Sequence, residues 1–271
     1  MKKRHKIILT FGIFGATALS APICGYAQDE YWHQRVTLFE KLPVSPEDIV
    51  FLGNSITDGG EFQELFGMDN VLNRGIRSDR ISGVLKRLDQ VTSGKPKMIF
   101  LLIGINDVAD NRNTASSIAL KYEELVKEIR KRSPESRLFI QSVMPINNDF
   151  RRYKSLIGRE GIIPPLNEKL KDIALDNGAV FIDLWPVLSD SATGKMQRQF
   201  TNDGLHLTGA GYRAWTDAVR PYVEGIIGGN EPSQGSAGEA DEDYTEEGSS
   251  GETDMPTTEE NGTLPIKRIE R

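Results

Sequence analysis

Apolar residues in this chain fall into short uninterrupted runs, separated by stretches where they recur every three or four positions. Residues 48–53, 97–104, 137–144 and 179–184 are four such runs, with Pro145 closing the third, and 71–73 is a shorter one. Unbroken apolar runs of this length suit strands buried on both faces. Between them, Ile81, Val84, Leu85 and Leu88 form an i, i+3, i+4, i+7 stripe, with Ser78 ahead of it as an N-cap. Leu120, Leu125 and Ile129 mark a second helix. Leu166, Leu170, Ile173 and Ala174 mark a third, ended by Gly178, and Ala214, Val219 and Val223 lie on a last one. Strands alternating with helices predict an α/β chain, a three-layer α/β/α arrangement around a parallel, doubly wound sheet of about five strands.

The two ends read differently. Residues 1–6 are cationic, an apolar run follows from Ile7 to about Ala21, and Gly25, Tyr26 and Ala27 precede Gln28. This is the pattern of a secretory signal peptide over 1–27. The run falls short of a bilayer span and is broken by Gly12, Gly15 and Pro22, which disfavours a permanent anchor. Lipidation at Cys24 is disfavoured because Ile23 stands where a small residue is wanted. Residues 229–271 are rich in Gly, Ser, Glu, Asp and Thr and read as a disordered acidic tail. The predicted organisation is therefore signal peptide 1–27, a folded domain over 28–228, and the tail.

Charge sharpens this division. The formal −6 separates into +4 over 1–27, −9 over 229–271 and −1 between. A nearly neutral domain offers no basic face for nucleic acid. Cys24 is the single cysteine, so a chain cut after Ala27 has no thiol for a disulfide, a nucleophile or a zinc site. The expected product is an exported protein, periplasmic or secreted, with no stable membrane insertion once the signal is removed. Its oligomeric state is left open.

In doubly wound sheets, chemistry gathers at the carboxyl ends of strands. Ser55 follows the first run, Gly75 the short second, Asn106 the third, and Asp203 and His206 stand beyond the last. A serine needs a base within hydrogen-bond reach and a third group to orient that base. His206 is the only histidine placed at this edge, since His5 lies in the leader and His33 on the first predicted helix. Asp203, three residues earlier, is spaced to pair with its Nδ1. Backbone N–H groups of Ser55 and Gly75, with the Asn106 amide, supply candidate oxyanion donors. Taken singly, each has another use: Ser55 a helix cap, Gly75 a turn, Asn106 an Asx turn, Asp203–His206 a surface pair or half a metal site. Their joint occurrence at successive strand ends favours catalysis. No metal or other cofactor is expected, because no second histidine or cysteine ligand is near. The Gly-x-Ser-x-Gly elbow is absent, since Thr57 follows Ile56, and so is a phosphate-loop Gly-Lys-Ser/Thr.

Residues 53–57, 73–76, 104–107 and 203–206, in that order, resemble the four blocks of the SGNH, or GDSL-type, hydrolases. The Asn73 to Ile76 stretch and Lys95 to Phe100 are similar to the platelet-activating-factor acetylhydrolase-like branch. One departure is visible: the family usually has Asp before its serine, and this chain has Asn54. The resemblance implies a flavodoxin-like fold and a serine esterase acting on small acyl esters of sugars, lipids or small acids, with acetyl the favoured acyl group. Export directs attention to acetylated glycans. Phe150, Arg151, Arg152 and Tyr153, on the long connection after the fourth run, are candidate substrate contacts. Trp185 and Trp215 read as packing residues. An acyltransferase using the same residues, or a non-catalytic binding module on this fold, remain alternatives.

Overall fold

The computed structural model describes residues 23–227, with side chains over 29–225. In chain order the regular elements are α1 (Ile23–Phe39), β1 (Ile49–Gly53), α2 (Ser55–Asp58), α3 (Phe62–Phe66), β2 (Val71–Gly75), α4 (Ile81–Lys86), α5 (Asp89–Thr92), β3 (Met98–Leu102), α6 (Ile105–Val108), α7 (Ala115–Arg132), β4 (Arg137–Gln141), α8 (Ile163–Asp176), β5 (Val180–Ile182), α9 (Trp185–Leu188) and α10 (Gly209–Ile227). Four of the five apolar runs contain a strand, and the short one at 71–73 opens β2, which continues to Gly75. All pairings are parallel, in the order β2-β1-β3-β4-β5.

Helices cover both faces, α4, α7 and α8 side by side on one and α3, α9 and α10 together on the other. The central strands β1 and β3 are buried along their whole length, which explains their lack of polar alternation. Register places Phe51 beside Phe100 and Phe100 beside Phe139. Their rings stack at 4.9 and 4.4 Å, and Phe62 of α3 lies on Phe51 at 4.1 Å. Trp215 of α10 meets Phe51 and Phe62 edge-on and donates its Nε1–H to Gln141 Oε1 at 2.6 Å. This apolar contact locks α3 and α10 over the centre of the sheet.

Two local expectations are corrected. Ser78 does not cap α4: its φ is +63°, and the Ile81 N–H instead donates to Asp107 Oδ2 at 3.1 Å, from beyond β3. In α7 the buried stripe is Ile118, Tyr122, Leu125, Val126 and Ile129, while Leu120 is exposed. The helix starts at a Thr114–Ser117 capping box.

The expected cleavage after Ala27 falls within α1. Residues 1–22, the Cys24 side chain and the acidic tail 229–271 lie outside the described residues. No described helix is long and apolar enough to cross a membrane.

The strand order sets the site. The chain leaves β1 for β2 on one side, then crosses back to β3 on the other. The crevice between the carboxyl ends of β1 and β3 is therefore the switch point, where such sheets bind ligands.

Candidate active site

Ser55 is the first residue of α2, directly after β1. Asn54 is buried beneath it, and Asn54 Oδ1 accepts the Ile56 N–H at 3.0 Å. The amide oxygen thus supplies the helix cap, so that role needs no carboxylate at this position. Tyr212 of α10 donates to the Ile56 carbonyl at 2.8 Å, and Tyr31 of α1 donates to Asp58 Oδ2 at 3.0 Å. A four-residue helix is too short to hold itself, and these tertiary bonds fix it.

Asp203 and His206 lie on the loop before α10, pinched by the Thr201–Leu207 bridge. Asp203 Oδ1 accepts the N–H groups of Leu205 at 2.9 Å and His206 at 2.8 Å. The turn thereby carries the carboxylate round to the imidazole, and Oδ2 lies 2.8 Å from His206 Nδ1. With Nδ1–H donated to the carboxylate, Nε2 is the acceptor, and it sits 2.9 Å from Ser55 Oγ. Burial alone raises the Asp203 pKa. Hydrogen bonds from His206, Tyr153 and the two backbone amides outweigh it and hold the carboxyl at about 2. The pair is thus an anion and an imidazole in line with a hydroxyl.

The donors expected around an oxyanion divide. The Ser55 N–H meets no acceptor among the described residues, and Asn106, on α6 after β3, faces the same cavity. One amide hydrogen of Asn106 is held by the Asp79 carbonyl at 2.8 Å, leaving the other free. Gly75 is different. Its N–H donates to Asn73 Oδ1 at 2.8 Å, and a Cβ there would lie 2.1 Å from the Asp58 nitrogen. It is a close-approach glycine that lets β2 pack against α2, and it does not line the cavity.

Ser78 occupies the place expected of Gly75. It lines the cavity beside Ser55 and Asn106, and its N–H has no acceptor among the described residues. The next residue fixes this left-handed turn. Asp79 is buried, accepting from Arg87 Nε at 2.8 Å and Trp32 Nε1 at 3.2 Å. Arg87 in turn donates to the carbonyls of Gly53 and Arg74, joining the ends of β1 and β2. Nothing in the residues 77–79 marks a positive φ, because the strain is carried by a serine rather than a glycine.

The cavity measures about 560 Å³. Leu156, Leu205 and Leu207 form its apolar wall, while Arg77, Tyr153 and Tyr212 add polar surface. Of the predicted substrate contacts, Tyr153 alone lines it. Phe150 packs beneath the Arg198 guanidinium, 4.9 Å from ring centre, and Arg151 turns outward at φ +52°. Sequence reasoning missed Ser78, Arg77, Leu205, Leu207 and Tyr212. The two leucines flank His206 and are readable as its neighbours; Tyr212 is one turn into the last helix. Among the described residues, no group of three His, Cys, Asp or Glu is placed to hold a metal ion.

Residues 51–214 match the GDSL-like Lipase/Acylhydrolase family. The platelet-activating factor acetylhydrolase IB subunit alpha2 of Rattus norvegicus is 30% identical over 177 residues, 61% of this chain and 71% of that protein. The Homo sapiens subunit is 28% identical over the same shares. A solved Streptococcus pneumonia protein named for platelet activating factor superposes with a TM-score of 0.67 at 26% identity, covering 74% of this chain and 96% of that one. A GDSL-like lipase from Bacteroides thetaiotaomicron, at 21% identity, shares the fold with a TM-score of 0.63 over 72% and 98% of the two chains.

Proposed function

The chain belongs to the GDSL-like lipase/acylhydrolase family and is a carboxylic ester hydrolase acting on small acyl esters; from that premise we propose that Ser55 is its nucleophile, His206 its general base and Asp203 the group that orients the base. The observation that carries this reading is the unbroken line from Ser55 Oγ through His206 to Asp203, with contacts of 2.9 and 2.8 Å. A serine hydroxyl is unreactive until a base takes its proton as it attacks. His206 Nε2 accepts that proton while Oγ forms a bond to the ester carbonyl carbon. Asp203 holds Nδ1–H and stabilises the imidazolium.

The tetrahedral oxyanion is received by the N–H groups of Ser55 and Ser78 and the free amide hydrogen of Asn106. Collapse expels the alcohol, which takes the proton from Nε2 and leaves an acyl-Ser55. Water, deprotonated by the same imidazole, then releases the acid. The donors are fixed before substrate arrives, so little reorganisation accompanies charge development.

Acetyl is the proposed acyl group, the alcohol belonging to a carbohydrate, lipid or small molecule. The support is the branch resemblance and the acetylhydrolase relatives. Export is proposed from the leader-like residues 1–27. The test uses protein beginning at Gln28 with p-nitrophenyl acetate, butyrate and longer esters, and with acetylated glycans. Preference for acetyl, and acid rather than a transferred ester in the presence of added alcohols, supports the reading. Preference for long chains, or transfer outrunning hydrolysis, contradicts it.

A further inference from the structure

Tyr153 lies in the long connection between β4 and α8, outside the four sequence blocks. Its Oη donates to Asp203 Oδ2 at 2.7 Å and lies 2.8 Å from His206 Nδ1. The Nδ1–Oδ2 contact closes a triangle with sides of 2.7, 2.8 and 2.8 Å. We propose that Tyr153 is a positioning residue of the Asp203–His206 pair, acting on the base through the carboxylate rather than by touching substrate. This rests on His206 being the base.

The protons can be placed. A phenol has one O–H, and Nδ1 must itself donate for Nε2 to accept from Ser55. The Tyr153 proton therefore goes to Asp203 Oδ2, and a lone pair of Oη faces Nδ1–H, which is shared between two oxygens. Burial, the hydrogen bond to Asp203 and that carboxylate's charge all raise the Tyr153 pKa, so the phenol stays protonated and keeps donating. With Oδ1 held by two backbone amides, every strong acceptor direction of the carboxylate is occupied. The rotamer of Asp203 is fixed, and the imidazole plane with it.

The contact is built into the fold. The Asn147 N–H donates to the Gly204 carbonyl at 2.8 Å, and Asn147 Nδ2 donates to the Met196 carbonyl at 2.9 Å. Gly204 has φ +88°, and a Cβ on it would fall 2.2 Å from the Asn147 carbonyl oxygen. Only glycine permits this approach. The start of the Tyr153 connection is thus clamped to the very loop that carries Asp203 and His206. Asn148 Nδ2 then bonds the Leu156 carbonyl at 2.9 Å, folding the connection so that Tyr153 points back at the pair. Its ring meets the imidazole edge-on at 5.6 Å.

The charged groups around the triangle are few: Asp203 and His206 from their loop, Arg152 beside Tyr153 in sequence, and Arg77 across the cavity. A donor on Oδ2 spreads the carboxylate's charge and so stabilises the imidazolium less than a bare carboxylate would. Removing the hydroxyl takes a donor from Oδ2 and an acceptor from Nδ1–H together, and should leave the base less well aimed.

The test is Tyr153→Phe, which retains the ring. Expected are a fall in kcat of about ten-fold, the order that one hydrogen bond to a charged group represents, a KM for p-nitrophenyl acetate within two-fold or so of wild type, and an acid limb of kcat/KM displaced from its wild-type position. An unchanged limb with the loss confined to KM makes Tyr153 a substrate contact and overturns the proposal. Asp203→Asn and the double variant guard against general damage: action through Asp203 makes the two losses less than multiplicative, whereas fully multiplicative losses contradict it. His206→Ala runs alongside. If it keeps activity, the base reading itself has failed, an outcome distinct from an active-site base indifferent to Tyr153.

Discussion

Ser55 Oγ lies 2.9 Å from His206 Nε2, although 151 residues separate them in the chain. Ser55 opens α2 at the end of β1, and His206 comes from the turn before α10. The parallel sheet brings both to one edge, and the bond from Tyr212 to the Ile56 carbonyl ties α10 directly to the helix carrying Ser55. Contacts this specific between distant segments depend on a rigid support, which the aromatic stack of Phe51, Phe100 and Phe139 provides.

Asn106 separates an electrostatic role from a structural one. Asn106→Ala should lower kcat by about 10²–10³, as loss of one preorganised donor does, with KM little changed. It also removes the bond to the Asp79 carbonyl, so a stability loss of about 1 kcal/mol is expected besides. Thermal melting and steady-state kinetics on one preparation read both. A stability loss with turnover retained would leave Asn106 a structural residue only.

Gly75 and Ser78 give opposite outcomes. Gly75→Ala places a methyl 2.1 Å from the Asp58 nitrogen and should destabilise by roughly 1–3 kcal/mol. Ser78→Gly relieves a left-handed strain of about 1 kcal/mol, which the greater freedom of glycine in the unfolded chain, roughly 0.5–1 kcal/mol, nearly offsets. That variant should therefore melt near wild type and keep its turnover, since the N–H remains. A Ser78→Gly enzyme that folds but is inactive would show that the serine side chain, not the backbone donor, is what the site requires.

Much of the fold and site is legible in the order of residues. β1 and β3 are marked by uninterrupted apolar runs, because both their faces are covered, whereas β2 carries Asn73 and Arg74 and is marked by little more than Val71 and Leu72. Ser55, Asn106, Asp203 and His206 come together because each follows a strand or stands at the last turn. What the residue order does not show depends on tertiary geometry. The Ser78 turn is imposed by Asp79, whose partners Trp32 and Arg87 lie 47 and 8 residues away. Leu120 is apolar yet faces solvent, because the buried stripe runs through Ile118 and Tyr122, two positions to either side, and Leu120 stands five residues before Leu125, off that face. Tyr153 reads in the sequence as a pocket residue; its bond to Asp203 follows from the Asn147–Gly204 clamp, a contact between segments far apart in the chain.

Asp203 fixes the sign of a pH effect. Its folded pKa of about 2 lies below the ordinary value of ~3.9, so its contribution to stability is complete above about pH 4 and is lost as pH falls through about 2. An acid limb in kcat/KM above about pH 4 therefore reports proton uptake by the base, not by this carboxylate. Asp203→Asn should lower kcat on the order of 10²–10⁴-fold with the fold intact. Equal turnover in the variant would remove the carboxylate from the mechanism.

The central claim is a covalent acyl-enzyme on one serine, and rapid-quench intact mass spectrometry during turnover of p-nitrophenyl acetate tests it most directly. The account predicts a transient species heavier by one acetyl group, mapped by peptide digestion to Ser55 and absent from Ser55→Ala, which should fold normally and lose nearly all activity. Acetylation at another residue, or a Ser55→Ala protein that still turns over the ester, would contradict it.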